Sequence, residues 1–242
     1  MKIWAHRGCS LHYPENTLLS FQKAAALEGL EGIELDVQRS KDGKLVVIHD
    51  ELLKRTTDGT GYVKDYTLSE LKQFHILTKN EEFEETIPTL TEVLDLLQDK
   101  MKHGLKLNIE LKNSKIMYPG MEKQVIDLVK EYGLEEQVIY SSFYAKSLER
   151  IRKLLPDAEI GILDKKASDC FYKLKGNCGA NAIHPYVKAM DIEKEKIEGI
   201  SVRAWMKGYL YPEEPTGKIL DLKHLEELGI TDVFLNEPER YL

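Results

Sequence analysis

The chain has 242 residues, with 34 basic and 41 acidic side chains interspersed and a formal net charge of -7. That balance offers no basic field for a nucleic-acid backbone or an anionic membrane, so nucleic acid is excluded as an expected partner, and an anionic small molecule would need local cations or a metal ion. No apolar run approaches the roughly 20 residues of a membrane span, "MKIWAHRG" is not a signal peptide, and Cys9, Cys170 and Cys178 have neither metal-ligand spacing nor disulfide density. The expected location is cytoplasmic with no membrane span, and the oligomeric state is left open.

In chain order, β-rich runs fall at 2–5, 32–38, 45–49, 107–112, 138–143, 159–163, 182–185, 201–205 and 232–236. Helical periodicity alternates with most of them. Residues 17–28 carry Leu18, Phe21 and Ala25 on one stripe, with Asn16 or Thr17 as N-cap and Gly29 as a stop. Further helices are predicted at 91–102, 120–132, 146–155, 191–198 and 221–228. Alternation without repeats or a low-complexity linker implies a mainly parallel sheet, and nine runs in a chain of this length fit an α/β protein of the (β/α)8 barrel type with one strand spare. A doubly wound open sheet has the same alternation, because periodicity does not report closure.

One junction is too short for a crossover helix. Only "RSKDGK" separates the second and third runs, and Asp42-Gly43 is a two-residue hairpin signal, so these strands should run antiparallel. With Asp42 and Gly43 as the central pair, Lys41 faces Lys44 and Asp36 falls opposite His49. Residues 51–88 do not read as a strand-helix unit; they form an insertion over the barrel mouth, with a helix start at Thr67 and an "EEFEE" segment (81–85) that reads as a solvated excursion.

In "GIELDVQ", Ile33, Leu35 and Val37 share one face, and Glu34 and Asp36 the other; "LNIELK" repeats this with Asn108, Glu110 and Lys112 on its polar face. Apolar faces pack on outer helices, which turns the polar faces into the barrel. Three converging carboxylates repel unless a cation or proton separates them. An oxygen-only set suits a hard divalent cation, Mg²⁺ or Ca²⁺. Structural salt bridges to Arg or Lys are the competing reading. His6 and His49 end the first and third runs and suit proton transfer near neutral pH, while Arg7 and Lys112 offer cations for a phosphate.

These residues resemble the glycerophosphodiester phosphodiesterase family. Its pattern of HRG, PENT, ExD, HD and ELK is matched in order by His6-Arg7-Gly8, Pro14 to Thr17, Glu34 and Asp36, His49-Asp50, and Glu110 to Lys112. The text "HDELLKRTTDGTGYVKDYTLSEL" resembles the family insertion. Beyond residue 112 the likeness thins to "SSF" at 141–143 and a late strand with Trp205. The resemblance implies a single TIM-barrel catalytic domain over 1–242, with 51–88 as an insertion after the third strand. It implies hydrolysis of small-molecule glycerophosphodiesters to glycerol 3-phosphate and an alcohol. By the family pattern Glu34, Asp36 and Glu110 correspond to ligands of one divalent cation, His6 and His49 to the general acid and base, and Arg7 and Lys112 to phosphate contacts. Phe143 and Trp205 are candidate pocket residues, Trp205 being a pocket wall or core. The family usually follows its late tryptophan with Thr-Val-Asn and closes with Thr-Asp-x-Pro, whereas this chain has "WMKG" at 205–208 and "LNEPE" at 235–239, segments that bear on substrate choice.

Rival classes are a sugar-phosphate isomerase or aldolase on the same barrel, a phosphodiesterase of intact lipid headgroups, and a binder that kept the barrel without its chemistry. The late loops lack the Gly-rich phosphate cradle of the first, no basic amphipathic surface advertises the second, and both histidines and all three acids tell against the third.

Overall fold

The computed structural model describes residues 1–78, 83–206 and 219–242. All nine β-rich runs are strands: β1 (Lys2–His6), β2 (Gly32–Arg39), β3 (Leu45–Val47), β4 (Lys106–Leu111), β5 (Val138–Ser142), β6 (Glu159–Asp164), β7 (Ala182–Pro185), β8 (Ser201–Ala204) and β9 (Asp232–Leu235). Apart from β3 they pair in parallel, and β1 lies against both β2 and β9, so the sheet closes. Closure excludes the open sheet. The fold is an eight-stranded TIM barrel.

Helices α1 (Leu18–Ala25), α2 (Leu68–Leu71), α3 (Leu90–Lys102), α4 (Met121–Glu131), α5 (Ala145–Leu154), α6 (Ala167–Lys175) and α7 (Leu222–Glu227) include all but one of the predicted helices. The exception, 191–198, is only a 3-10 turn at Lys194–Ile197, where Ile197 is the one buried residue in a Lys/Glu run and gives a helix too little to bury. In contrast, α6 is not in the predicted set. Its N-cap Lys166 makes no side-chain capping bond, so the usual start signal is missing, although Ala167 and Cys170 are buried. Thr17 caps α1 by accepting from the Ser20 amide, which frees Asn16 for another role.

Outward-facing Ile33, Leu35, Val37, Leu107, Ile109 and Leu111 pack in the core shared with the helices. Trp4, Ile139 and Phe234 fill the lower interior, and Trp4 Nε1 donates to Asp232 at 2.9 Å. A packed floor leaves the carboxyl ends of the strands as the place for a site.

The hairpin differs from expectation by one residue. Ser40, not Lys41, pairs with Lys44, through Ser40 N–H to the Lys44 carbonyl at 2.9 Å, and Asp36 faces Ile48, whose amide donates to its carbonyl at 3.0 Å. The loop is therefore three residues, with Gly43 at φ 81° completing a bulged turn. Side-chain bonds decide it. Ser40 Oγ accepts from the Lys44 amide and donates to Asp42, whose carboxylate also takes the Leu68 amide at 2.9 Å. In a strand a one-residue shift exchanges faces. Val47 thus joins the barrel-helix core, while Val46 and Ile48 face residues 51–88.

Those residues build a small core of Leu53, Val63, Leu71, Ile76 and Ile87 on Val46 and Ile48. The Val47 amide donates to the Pro88 carbonyl at 2.8 Å, so the segment leaves and returns beside β3. Thr67 starts α2 with a full capping box, as its sequence indicated. Of "EEFEE", Glu81 and Glu82 lie outside the described residues. The remainder is not simply solvated: Phe83 packs on Tyr13 with ring centroids 5.7 Å apart, and the Glu85 carbonyl accepts from Ile76 at 2.8 Å.

Candidate active site

His6 ends β1, and the backbone then turns through Arg7 at φ 57° and Gly8 at φ 80°. A Cβ at Gly8 would sit 2.0 Å from Ser20 Oγ, so only glycine lets this turn lie against α1. The Arg7 carbonyl accepts from Ser20 Oγ at 2.8 Å and the Asn16 amide at 3.1 Å, which holds a non-glycine residue in the left-handed region. This aims the guanidinium across the mouth, with Nε 3.2 Å from Asp36 and Nη1 2.9 Å from Glu15.

Strands β2 and β4 supply the carboxylates. Asp36 lies in register with Glu110, and with Glu34 their oxygens fall within 4.8 Å of one another, all three residues buried. Two are compensated within the protein: Lys112 Nζ is 2.8 Å from Glu110 and 3.7 Å from Asp36, and Arg7 also pairs Asp36. Salt bridges therefore form, but they do not neutralise the cluster. Glu34 accepts the Arg7 amide at 3.1 Å and has His6 Nε2 at 3.9 Å, with no Lys or Arg side chain at ion-pair distance among the described residues. Burial, then repulsion from Asp36, pushes the Glu34 carboxyl well above its usual range. Burial would do the same to Asp36, but the charges of His49, Arg7 and Lys112 hold it well below.

Asp36 Oδ1 is buried without a hydrogen-bond partner. Lys112 Nζ, 3.7 Å away, is too far to hydrogen-bond it, so a cation in direct contact would offset its burial. Together with the uncompensated Glu34 and the oxygen-only donor set, it fits a hard divalent cation rather than a thiolate-held zinc.

The two histidines are held alike at Nδ1. His6 Nδ1–H donates to Asn236 Oδ1 at 2.7 Å, and His49 Nδ1–H donates to Asp50 Oδ1 at 2.5 Å. Each bond leaves Nε2 as the ring nitrogen available to the site. Burial, then the Arg7 charge, pushes the His6 pKa down to about 3. His49 follows the end of β3, where the Gln38 side-chain amide donates to the carbonyls of Ile48, His49 and Asp50 at 3.3, 3.1 and 2.6 Å. Tyr118 in turn donates to Gln38 Oε1 at 3.0 Å.

The fold thus brings His6, Arg7, Glu34, Asp36, His49, Glu110 and Lys112 to one end of the barrel. Phe143 stands beside them, its ring 6.0 Å from Lys112 Nζ and 6.2 Å from Trp205. Trp205 packs against Tyr186 at 4.9 Å, donates Nε1–H to the His184 carbonyl at 3.1 Å, and rests on the Trp4 cluster, which are core contacts. Lys207 and Gly208 lie outside the described residues. The sequence-based site set lacks Asn16, whose amide donates to Asp36 at 2.9 Å, as well as Gln38 and Asn236. Asn16 and Asn236 sat in quoted motifs, yet nothing local says which charged group an amide will meet.

Acid-base and carboxylate side chains gathered at the carboxyl ends of barrel strands are the arrangement of a TIM-barrel enzyme. A model of the glycerophosphoryl diester phosphodiesterase family matches residues 6–240. A glycerophosphodiester phosphodiesterase of Caldanaerobacter subterraneus subsp. tengcongensis is 40% identical over 239 residues, covering 98% of this chain and 94% of that protein. One from Bacillus altitudinis is 37% identical, covering 99% and 96%. The structure of an Oleispira antarctica phosphodiesterase in complex with the product sn-glycerol-3-phosphate matches with a TM-score of 0.81 at 27% identity, covering 99% and 94%. The chain belongs to the glycerophosphoryl diester phosphodiesterase family and is a hydrolase of that class.

Proposed function

We propose that the chain, read as one catalytic domain with 51–88 inserted in it, cleaves glycerophosphodiesters derived from deacylated phospholipids into glycerol 3-phosphate and an alcohol. The observation that carries this reading is the meeting of two Nδ1-anchored histidines, two cations and an incompletely neutralised carboxylate cluster at one barrel end. The Oleispira antarctica relative, with glycerol 3-phosphate as its product, supports the same substrate class.

Glu34, Asp36 and Glu110 would hold one divalent cation, Mg²⁺ or Ca²⁺, which when bound supplies Lewis-acid charge to the phosphoryl group. Arg7 and Lys112 bind the non-bridging oxygens and stabilise the charge that grows on them. His6, with its Nδ1–H held by Asn236, presents Nε2 to accept a proton from the attacking water or substrate hydroxyl. His49, backed by the Asp50 carboxylate, is suited to hold one and deliver it to the leaving alcohol oxygen. Phe143 and Trp205 line the side on which the organic part of the substrate lies.

Three free, buried cysteines support a cytoplasmic location, and no helix among the described residues is long and apolar enough to cross a membrane. The test is incubation of the full chain with glycerophosphocholine, glycerophosphoethanolamine and a bis-aryl phosphodiester in millimolar Mg²⁺ or Ca²⁺. Release of glycerol 3-phosphate is the expected result. Turnover of the aryl diester alone, or of none, overturns the assignment. Phosphorus NMR in ¹⁸O-labelled water then distinguishes a water nucleophile from the substrate's own hydroxyl, which would pass through a cyclic phosphate.

A further inference from the structure

Arg55 touches none of the three clustered carboxylates, yet it joins the two loops that carry His49 and Arg7. It closes a short 3-10 turn, Leu53–Arg55, at the start of the 51–88 segment, and buried Leu53 anchors that turn in the segment's apolar core. Its Nε donates to Asp50 Oδ2 at 2.5 Å, while Asp50 Oδ1 accepts the His49 ring N–H at 2.5 Å. Its Nη1 and Nη2 donate to Glu15 at 2.8 and 2.7 Å, and Glu15 Oε1 also accepts from Arg7 Nη1 at 2.9 Å. Charge alternates from Asp50 through Arg55, Glu15 and Arg7 to Asp36, and the His49 ring is hydrogen-bonded to the first member of the run.

We infer that Arg55 is a positioning residue, which fixes the His49 imidazole and the Arg7 guanidinium relative to each other by bridging their two carboxylate partners. The planar fork is what makes this possible. Nε and the two Nη groups serve different carboxylates in fixed directions, whereas a lysine at this position would offer a single rotating point charge. Arg55 is 45% exposed, so its ion pairs add little to the stability of the fold. Its effect should fall on geometry. The bland alternative, a surface ion pair of no consequence for the site, predicts no change at His49 when Arg55 is removed.

The kinetic arm rests on the phosphodiesterase reading proposed above; the spectroscopic arm does not. The full chain is compared with Arg55→Ala and Arg55→Lys by melting curves, by imidazole ¹H–¹⁵N spectra, and by kcat and KM on glycerophosphocholine with millimolar Mg²⁺. Both variants should melt within about 4 °C of wild type, as expected for a weak exposed pair. In both, the His49 Nδ1–H signal should shift or broaden, and kcat should fall about 10- to 100-fold with KM changed much less. Guanidinium chloride at tens of millimolar should restore part of the loss in Arg55→Ala and none in Arg55→Lys, where the pocket is filled.

An unchanged His49 signal in Arg55→Ala overturns the inference, and so does wild-type kcat in either variant. If Arg55→Ala melts far below wild type, Arg55→Lys and the guanidinium titration decide, and full activity in Arg55→Lys refutes the fork. Should wild type release no glycerol 3-phosphate from any diester, the phosphodiesterase reading fails, and the His49 spectra alone judge Arg55.

Discussion

Asn236 accepts the Nδ1–H of His6 at 2.7 Å across 230 positions of chain. The partner is a neutral amide, in a segment where the family usually carries Thr-Asp-x-Pro. A carboxylate there would favour the imidazolium, whereas the amide leaves burial and Arg7 to depress the His6 pKa to about 3. Asn236→Asp should therefore raise the His6 pKa by about one unit or more, since an opposite charge in contact is worth 1 to 3. Imidazole NMR through a pH titration measures this directly. An unmoved His6 would mean that the contact does not govern its protonation.

Removing either histidine should abolish proton transfer without unfolding the barrel. His6→Ala and His49→Ala are each expected to lower kcat by about 10² to 10⁴. Circular dichroism and melting curves should stay close to wild type for His49, which lies beyond the end of β3. Near-wild-type turnover in either variant would make that histidine structural.

With a divalent cation held by the carboxylate cluster as proposed, the chain's stability should depend on metal. A cation that binds only the folded state at 100 times its dissociation constant adds about 2.7 kcal/mol. Adding millimolar Mg²⁺ or Ca²⁺ should raise the melting temperature, and EDTA should lower it and stop turnover. Because Glu110 is paired with Lys112 while burial and the Asp36 charge disfavour an ionised Glu34, Glu34→Gln is the variant that should cost little metal-free stability and lose the metal response. Identical melting curves with metal and with chelator would remove the cation from the mechanism.

Arg7→Met and Lys112→Met should reduce kcat more than they raise KM, because their charges matter most as negative charge grows on the phosphoryl oxygens. A pure KM effect would make them ground-state anchors. Both variants also leave Asp36 less compensated, so kinetics are to be read only on samples that circular dichroism shows to be folded.

Acid should weaken the ion network at the mouth in a defined window. Burial alone would raise the Glu15 pKa, but Arg55 hydrogen bonds and the Arg7 charge outweigh it and bring it down to about 2 from an ordinary 4.5. The unfolded chain then takes up a proton near 4.5 that the folded one resists until about 2. The stability from Glu15, kept small because Arg55 is solvent-screened, is full above the higher value and is lost as pH falls through the lower one. The melting difference between wild type and Glu15→Gln should shrink progressively below pH 4.5. A constant difference across that range would show that the network carries no charge-dependent stability.

Local chemistry placed the strands, the reversal at Asp42-Gly43 and the inward carboxylates, because alternation, turn residues and apolar stripes are properties of a few neighbouring residues. That His6, Arg7, Glu34, Asp36, His49, Glu110 and Lys112 would gather at one barrel end followed from strand alternation together with the family motifs, while their roles remain part of the proposal. Closure of the barrel was not, since it depends on β9 finding β1. Nor was the hairpin register, which turns on whether the Ser40 hydroxyl closes the loop one residue early. The amide and guanidinium partners lay furthest from sequence. Asn16 on Asp36, Asn236 on His6, Gln38 beneath His49 and Arg55 between Asp50 and Glu15 are hydrogen bonds between segments remote in the chain or exiting different strands. Hydrogen bonds are directional and short, so which donor meets which acceptor is fixed only when packing has set the backbone to within a fraction of an ångström.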